Sequence, residues 1–262
     1  MLRSLTTAAT GMAAQQRNLD TIANNLANVN TTSFKASRAQ FQDLMYQTVR
    51  AGAADNGGGG ALPASQQIGL GAKFTMNTSS FANGPLLTTG RDLDVAIKGN
   101  GFFQVQLPDG TLAYTRDGSF TRTASGTLVT NDGYPVAGNI TIPTDATTIT
   151  IGPDGSVYGQ TGTSSEPQAF GNIQLFLFGN PGGLERIGKN LYHASTVSGD
   201  AVEAVPGQNG SGSLEQGFLE GSNVSMVDEM INMIMAQRAY EVNSKAIMAA
   251  DEMLNTTNQI KR

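Results

Sequence analysis

Apolar residues recur at sevens near both ends of the chain and at twos between them. At the first end Leu5, Met12, Leu19 and Leu26 are evenly spaced, with Ile22 and Val29 three residues after the last two, which predicts one long helix. The earlier companion positions are Ala8 and Gln15, so the apolar stripe is narrow and too weak to hold the helix without a partner. The helix should stop near Asn28 to Thr32, where Asn and β-branched residues replace good helix formers. At the far end Met226, Met233, Tyr240, Ile247 and Leu254 repeat the spacing, with Ala236 and Ala250 three residues after two of them. Met226, Val227, Met230, Ile231, Met233, Ile234 and Met235 make the start of this second helix apolar nearly all round, as for a helix covered by several neighbours. Ser222 or Asn223 is the expected cap. Asp228 and Glu229 suit its positive end, and Lys261 and Arg262 the other. Each helix should run about 50 Å.

Between the helices the period changes to two, as in Val95-Ala96-Ile97, Phe103-Gln104-Val105-Gln106-Leu107 and Ile149-Thr150-Ile151. Asp109-Gly110, Asp117-Gly118, Asp132-Gly133 and Asp154-Gly155 punctuate these runs, where glycine permits a positive φ. The expected fold class is therefore α+β. Long N- and C-terminal helices form a coiled-coil-like end domain, and the centre is a mainly antiparallel β domain. The expected boundaries are 1–35 for the first helix, 36–71 for an extended connector, 72–215 for the β domain and 216–262 for the second helix. Within the connector, Asp55 to Ser65 (DNGGGGALPAS) has the composition of a flexible or extended link.

Composition narrows the function. Charged residues make up only 14% of the 262, Gly reaches 32, and the formal charge is −5 without a Lys/Arg run, which argues against a nucleic-acid surface. The absence of Cys removes disulfide frameworks and thiolate chemistry. The opening residues MLRSLTTAATGMAAQQRNLD lack the unbroken apolar core of a secretory signal, so no cleaved signal peptide is expected. No window is long and apolar enough to span a bilayer. If the chain leaves the cytoplasm, another export route carries it.

No catalytic pattern is complete in the sequence. His193 is the single histidine, beside Tyr192 in a predicted strand, with no companion ligand. Gly99-Asn100-Gly101 is followed by a further strand and not by a helix, so it reads as a tight turn without a phosphate cradle. Asp92 and Asp94 read as a solvated strand edge near Arg91, and the Asp-Gly turns lack the ligand spacing of a calcium loop. No cofactor, metal or catalytic residue is expected. The Met-rich stripe reads as helix packing.

Three ordered segments resemble the flagellar rod and hook family. Asp20 to Lys35 (DTIANNLANVNTTSFK) is similar to its N-terminal signature, carried here by Asn24, Asn25, Asn28, Asn30 and Phe34. Val95 to Val136 is similar to its central β-domain sequence. Gly221 to Leu254 resembles its C-terminal helix, with Gln237, Arg238, Tyr240 and Glu241 in the Gln-Arg-Ala-Tyr-Glu core. Within the family, the short length and the stretch Tyr46 to Gly71, with Gln67 and Gly69, suggest a distal-rod member lacking the hook's large outer domain.

The resemblance implies a structural subunit forming a helical homopolymer, with its terminal helices lining a hollow drive shaft that transmits torque from motor to hook. It further implies proximal-rod and hook proteins and surrounding L- and P-ring proteins as partners. Export through the flagellar type III apparatus and a place in the basal body, across the periplasm and outer-membrane region, follow from the same likeness. Leu5, Met12, Leu19, Ile22, Leu26 and Val29 are expected to meet Met226, Met230, Met233, Tyr240, Ile247 and Leu254, within or between chains. The alternatives are a hook or proximal-rod subunit, a secreted β-rich peptidoglycan hydrolase, and an adhesin.

Overall fold

The computed structural model describes residues 2–50, 65–138, 140–162 and 164–260. Most of the glycine-rich connector, and both Lys261 and Arg262, lie outside them. The chain divides into two compact units, one of Met1–Ala27, Ser37–Ser79 and Ser225–Arg262, the other of Asn28–Ala36 and Ser80–Val224.

The first unit is built on helix α1 (Leu2–Ala27), strands β1 (Ser37–Asp43), β2 (Tyr46–Arg50), β3 (Gln66–Gly69) and β4 (Ala72–Ser79), and helix α2 (Met226–Ile260). The two helices pack against each other within this one chain and run antiparallel, since Gly11 faces Asn243 and Asn25 reaches Glu229. A Cβ at Gly11 would stand 3.0 Å from the Asn243 amide, so close approach accounts for a glycine that otherwise weakens a helix interior by about 1 kcal/mol.

β1 pairs antiparallel with β4 through a bulge between Gln40 and Phe41, and β2 pairs antiparallel with β3. α1 lies on β1 and β4, where Thr21 donates to Asn77 Oδ1 at 3.1 Å. Gly71 has φ +118°, and any Cβ there would collide with Thr10.

The N-cap of α2 differs from expectation. Ser225 caps it: the Asp228 N–H points to Ser225 Oγ at 3.4 Å, and the Glu229 N–H donates to Ser225 O at 3.0 Å. Asn223 is committed elsewhere, accepting from the Ala36 N–H at 2.7 Å and donating to Ser80 O and Ala82 O. Ser222 Oγ accepts only from the Val224 N–H, at 3.3 Å, among the described contacts.

The second unit consists of short antiparallel pairings. Its largest sheet has the order Glu185–Gly188, Leu191–His193, Leu112–Thr115, Phe103–Gln106, and a three-stranded sheet joins Ala146–Ile151, Ser156–Thr161 and Ser164–Asn172. Val95–Lys98 pairs with Ser213–Gln216, and Leu86–Thr88 with Phe218–Glu220. Phe103 and Val105 point into the core with Ile97, Phe120, Ile142 and Leu175, while Gln106 stays outside, as the period-two pattern predicts. A second cluster stacks Phe102, Tyr114, Phe178 and Tyr192 edge to face, with Phe176 tilted against Tyr114.

Gly110, Gly133 and Gly155 take the positive φ expected of their Asp-Gly turns. Gly118 does not; it is glycine because any Cβ would strike Val95 O, 1.7 Å away.

Candidate functional site

Asn25 lies buried near the end of α1 and uses its whole amide. Its Oδ1 accepts the Ser37 N–H at 2.9 Å, while Nδ2 donates to Ser37 O at 2.8 Å and to Glu229 Oε1 at 2.9 Å. One side chain thus ties the start of β1 to both helices. Among the other asparagines of the N-terminal signature, Asn24 and Asn30 are exposed, and Asn28 accepts from Thr31 Oγ1 at 3.1 Å.

The helix faces divide unexpectedly. Asn243 faces α1, and Ala236 and Ala250, at seven residues either side of it, are nearly inaccessible. On α1 the buried residues are Ala8, Ala14, Thr21, Ile22 and Asn25. Ile22 apart, small and polar groups therefore fill the contact that one chain makes. Leu5, Met12, Leu19 and Leu26 are half-buried, as are Met233, Ile247 and Leu254. Val29 falls beyond the end of α1, in the second unit. Met226, Val227, Met230, Ile231, Ile234, Met235 and Tyr240 remain exposed, Ile234 by 56% and Met235 by 65%. Gln237, Arg238 and Glu241 are exposed as well. In the Tyr46 to Gly71 stretch, Tyr46 and Gln67 are exposed and the Tyr46 ring packs over Gly69.

The second unit contains a buried ionic triad that no sequence period signals. Glu220, 1% exposed, accepts from Lys35 Nζ at 2.7 Å and the Gly84 N–H at 2.9 Å through Oε1, and from Arg116 Nε at 2.9 Å through Oε2. Lys35 also donates to Ala82 O, and Arg116 to Asn83 Oδ1 and Gly99 O. Burial, and then the Arg116 charge, push the Lys35 ammonium below its ordinary pKa, with Glu220 opposing.

The same incoming segment is fixed elsewhere too. Ser33 donates to Arg116 O, Asn190 donates to Thr32 O, and the Arg186 guanidinium sits 5.4 Å above the Phe34 ring. Phe34-Lys35 belongs to the N-terminal signature and Arg116 to the segment resembling the family's β domain, but nothing in the sequence pairs either with Glu220.

Among the described residues, the candidate groups do not assemble as a catalytic centre. No group of metal-binding side chains occurs among the described residues, and His193 lies exposed at a strand end. Asp94 is buried, contrary to the solvated edge expected for it, because it bridges to Ser119 directly before the core strand Val95–Lys98; its carboxylate lies 3.6 Å from Arg91. A cleft of about 310 Å³ is lined by Phe81, Phe102, Leu177, Phe178 and Arg116 without a carboxylate, and so lacks an acid and base pair.

Family descriptions match in the same order as the structural pieces. Residues 5–35 match "Flagella basal body rod protein", 96–159 the "Flagellar hook protein FlgE/F/G D1 domain", and 215–260 the "Flagellar basal body rod FlgEFG protein C-terminal". The chain is 48% identical over 264 residues to the flagellar basal-body rod protein FlgG of Borreliella burgdorferi, covering 100% of each. Against the Caulobacter vibrioides protein of the same name it is 47% identical, covering 99% of this chain and 100% of that one, and against the Bacillus subtilis protein 45%, covering 100% of each.

This chain belongs to the flagellar basal-body rod protein family. It is a structural rod subunit and not an enzyme. The rod-protein match at 5–35 takes in α1, Asn25 and Lys35, and the one at 215–260 takes in Glu220 and α2. The two terminal segments of the family likeness are thus joined to each other by the Asn25–Glu229 and Lys35–Glu220 contacts. No helix of the described residues is long and apolar enough to cross a membrane.

Proposed function

We propose that the subunit polymerises into the distal part of the rod through the apolar face of α2, against α1 and α2 of neighbouring copies in coiled-coil-like contacts. The observation that carries this reading is the inversion of side-chain size. Alanines occupy the contact inside one chain, while Ile231, Ile234, Met235 and Met230 are left in water. Covering such a side chain contributes about 1.5–3 kcal/mol, so several per subunit offset the cost of association. Leu5, Met12, Leu19 and Leu26, with Met226, Met233, Tyr240, Ile247 and Leu254, complete the proposed surface, which repeats head to tail and does not close on itself; Ile22, expected there, is instead buried within the single chain.

The helices then line a hollow shaft that transmits torque, with proximal-rod and hook proteins at its ends and L- and P-ring proteins around it. Export by the flagellar type III route into the periplasm and outer-membrane region fits the same reading. The stretch from Tyr46 to Gly71 is assigned to distal-rod-specific contacts that stiffen the shaft.

The test is the double substitution Ile234→Asp and Met235→Asp. Both positions face solvent in the free chain, so secondary structure should be retained, while sedimentable polymer and motility should fall by at least about tenfold. Straight polymers of ordinary length from this variant would remove α2 as the assembling face.

A further inference from the structure

An Asn-Gly pair is where a backbone nitrogen most readily attacks a side-chain amide, because glycine has no Cβ to obstruct the approach. The sequence contains four such pairs, of which Asn56-Gly57 lies outside the described residues. The other three sit in different surroundings.

At Asn83-Gly84 both reacting groups are engaged: the Gly84 N–H donates to Glu220 at 2.9 Å, and Asn83 Oδ1 accepts from Arg116 at 3.0 Å. At Asn100-Gly101 the peptide is clamped on either side. Asn100 O accepts the Gly212 N–H at 2.7 Å, the Phe102 N–H donates to Phe176 O at 3.0 Å, and Gly101 is buried with its Cβ position 3.2 Å from Leu175.

Asn209-Gly210 has no such restraint. Both residues are exposed in left-handed conformations, φ +52° and +81°, and a Cβ on Gly210 would meet nothing within 4 Å. The surrounding turn is held by Gln208 N–H to Val205 O, Ser211 N–H to Gln208 O and Gly207 N–H to Gly212 O. None of these bonds engages the Asn209 amide or the Gly210 nitrogen.

We propose that Asn209 is a self-modification site of the folded subunit, converting to aspartate and isoaspartate through a succinimide. The Gly210 nitrogen loses its proton and attacks Cγ of Asn209. A C–N bond forms, the Cγ–Nδ2 bond breaks, and Nδ2 leaves as ammonia with the proton. Water then opens the ring, at Cγ to give aspartate or at the main-chain carbonyl to give isoaspartate, with no oxidant or reductant involved.

Either product adds one negative charge to the turn. The isoaspartate also lengthens the backbone by a methylene, between the residues that form the Gly207–Gly212 and Gln208–Ser211 hydrogen bonds and directly before the strand Ser213–Gln216.

The full-length chain is incubated in mildly alkaline buffer, folded and in concentrated urea, and digested peptides are followed by mass spectrometry for the gain of about 1 Da. In the folded chain the Asn209 peptide should convert at least about tenfold faster than those of Asn83 and Asn100, and in urea the three rates should converge. Equal rates in the folded chain, or an unconverted Asn209 where the urea sample converts, would overturn the proposal. Neither result bears on polymerisation.

Discussion

Asn25 and Lys35 are both polar groups withdrawn from water, and they differ in what holds them. All the hydrogen-bonding capacity cited for Asn25 is met by neutral backbone and one carboxylate, so the side chain stabilises as long as its partners stay in register. Asn25→Ala strands both main-chain groups of Ser37 and should cost about 2–4 kcal/mol, measured by urea unfolding of the first unit. A loss below half of this would mean that water replaces the amide there.

Lys35 carries a charge that its surroundings resist. Its folded pKa lies below the ordinary 10.5, so between the lowered value and 10.5 the unfolded chain binds more protons and stability rises with pH. Below that window the penalty for burying the charged form is constant. Buried Tyr192 has the opposite sign: its pKa is raised above 10.0, and its contribution is lost as pH climbs past that point. Lys35→Met should therefore flatten the rise of melting temperature in the alkaline window below pH 10.5, relative to the unaltered chain. Parallel curves for the two proteins would contradict the assignment.

At the scale of elements, seven-residue spacing located both helices, and alternation together with Asp-Gly pairs located much of the β region. It did not reveal which helix face goes where. Periodicity leaves open whether leucine and methionine pack within or between chains, and a single chain brings Ala8, Ala14, Ala236 and Ala250 inward, because close helix approach selects small residues at the contact. The triad was illegible for a different reason. Lys35 and Glu220 are separated by 185 positions, and no local pattern encodes a pairing that only the completed chain path creates.

The same geometry predicts that Ala236→Leu forces α1 and α2 apart. A loss of about 1–3 kcal/mol is expected, with faster hydrogen exchange along both helices, whereas Met235→Leu on the open face should change neither. Equal effects from the two would mean that the alanine face is not tightly packed.

For the whole molecule, the stretch assigned to stiffness has a simple attachment. The Leu44 N–H donates to Gly71 O at 2.8 Å, and Asp43 pairs with Ala72, so the chain leaves β1 and re-enters β4 at neighbouring points. Deleting 46–69 and joining Met45 to Leu70 should leave the melting temperature of the purified subunit within a few degrees, while the polymer seen by electron microscopy becomes curved. A straight polymer from the shortened chain would remove the stretch from any role in stiffness.

That closed base also makes the insert a replaceable part. A segment that departs and returns through one hydrogen-bonded gate adds little more than loop-closure entropy to folding, and this grows only slowly with length. Its length and sequence can then change while α1, α2 and the β1–β4 pair keep the same packing.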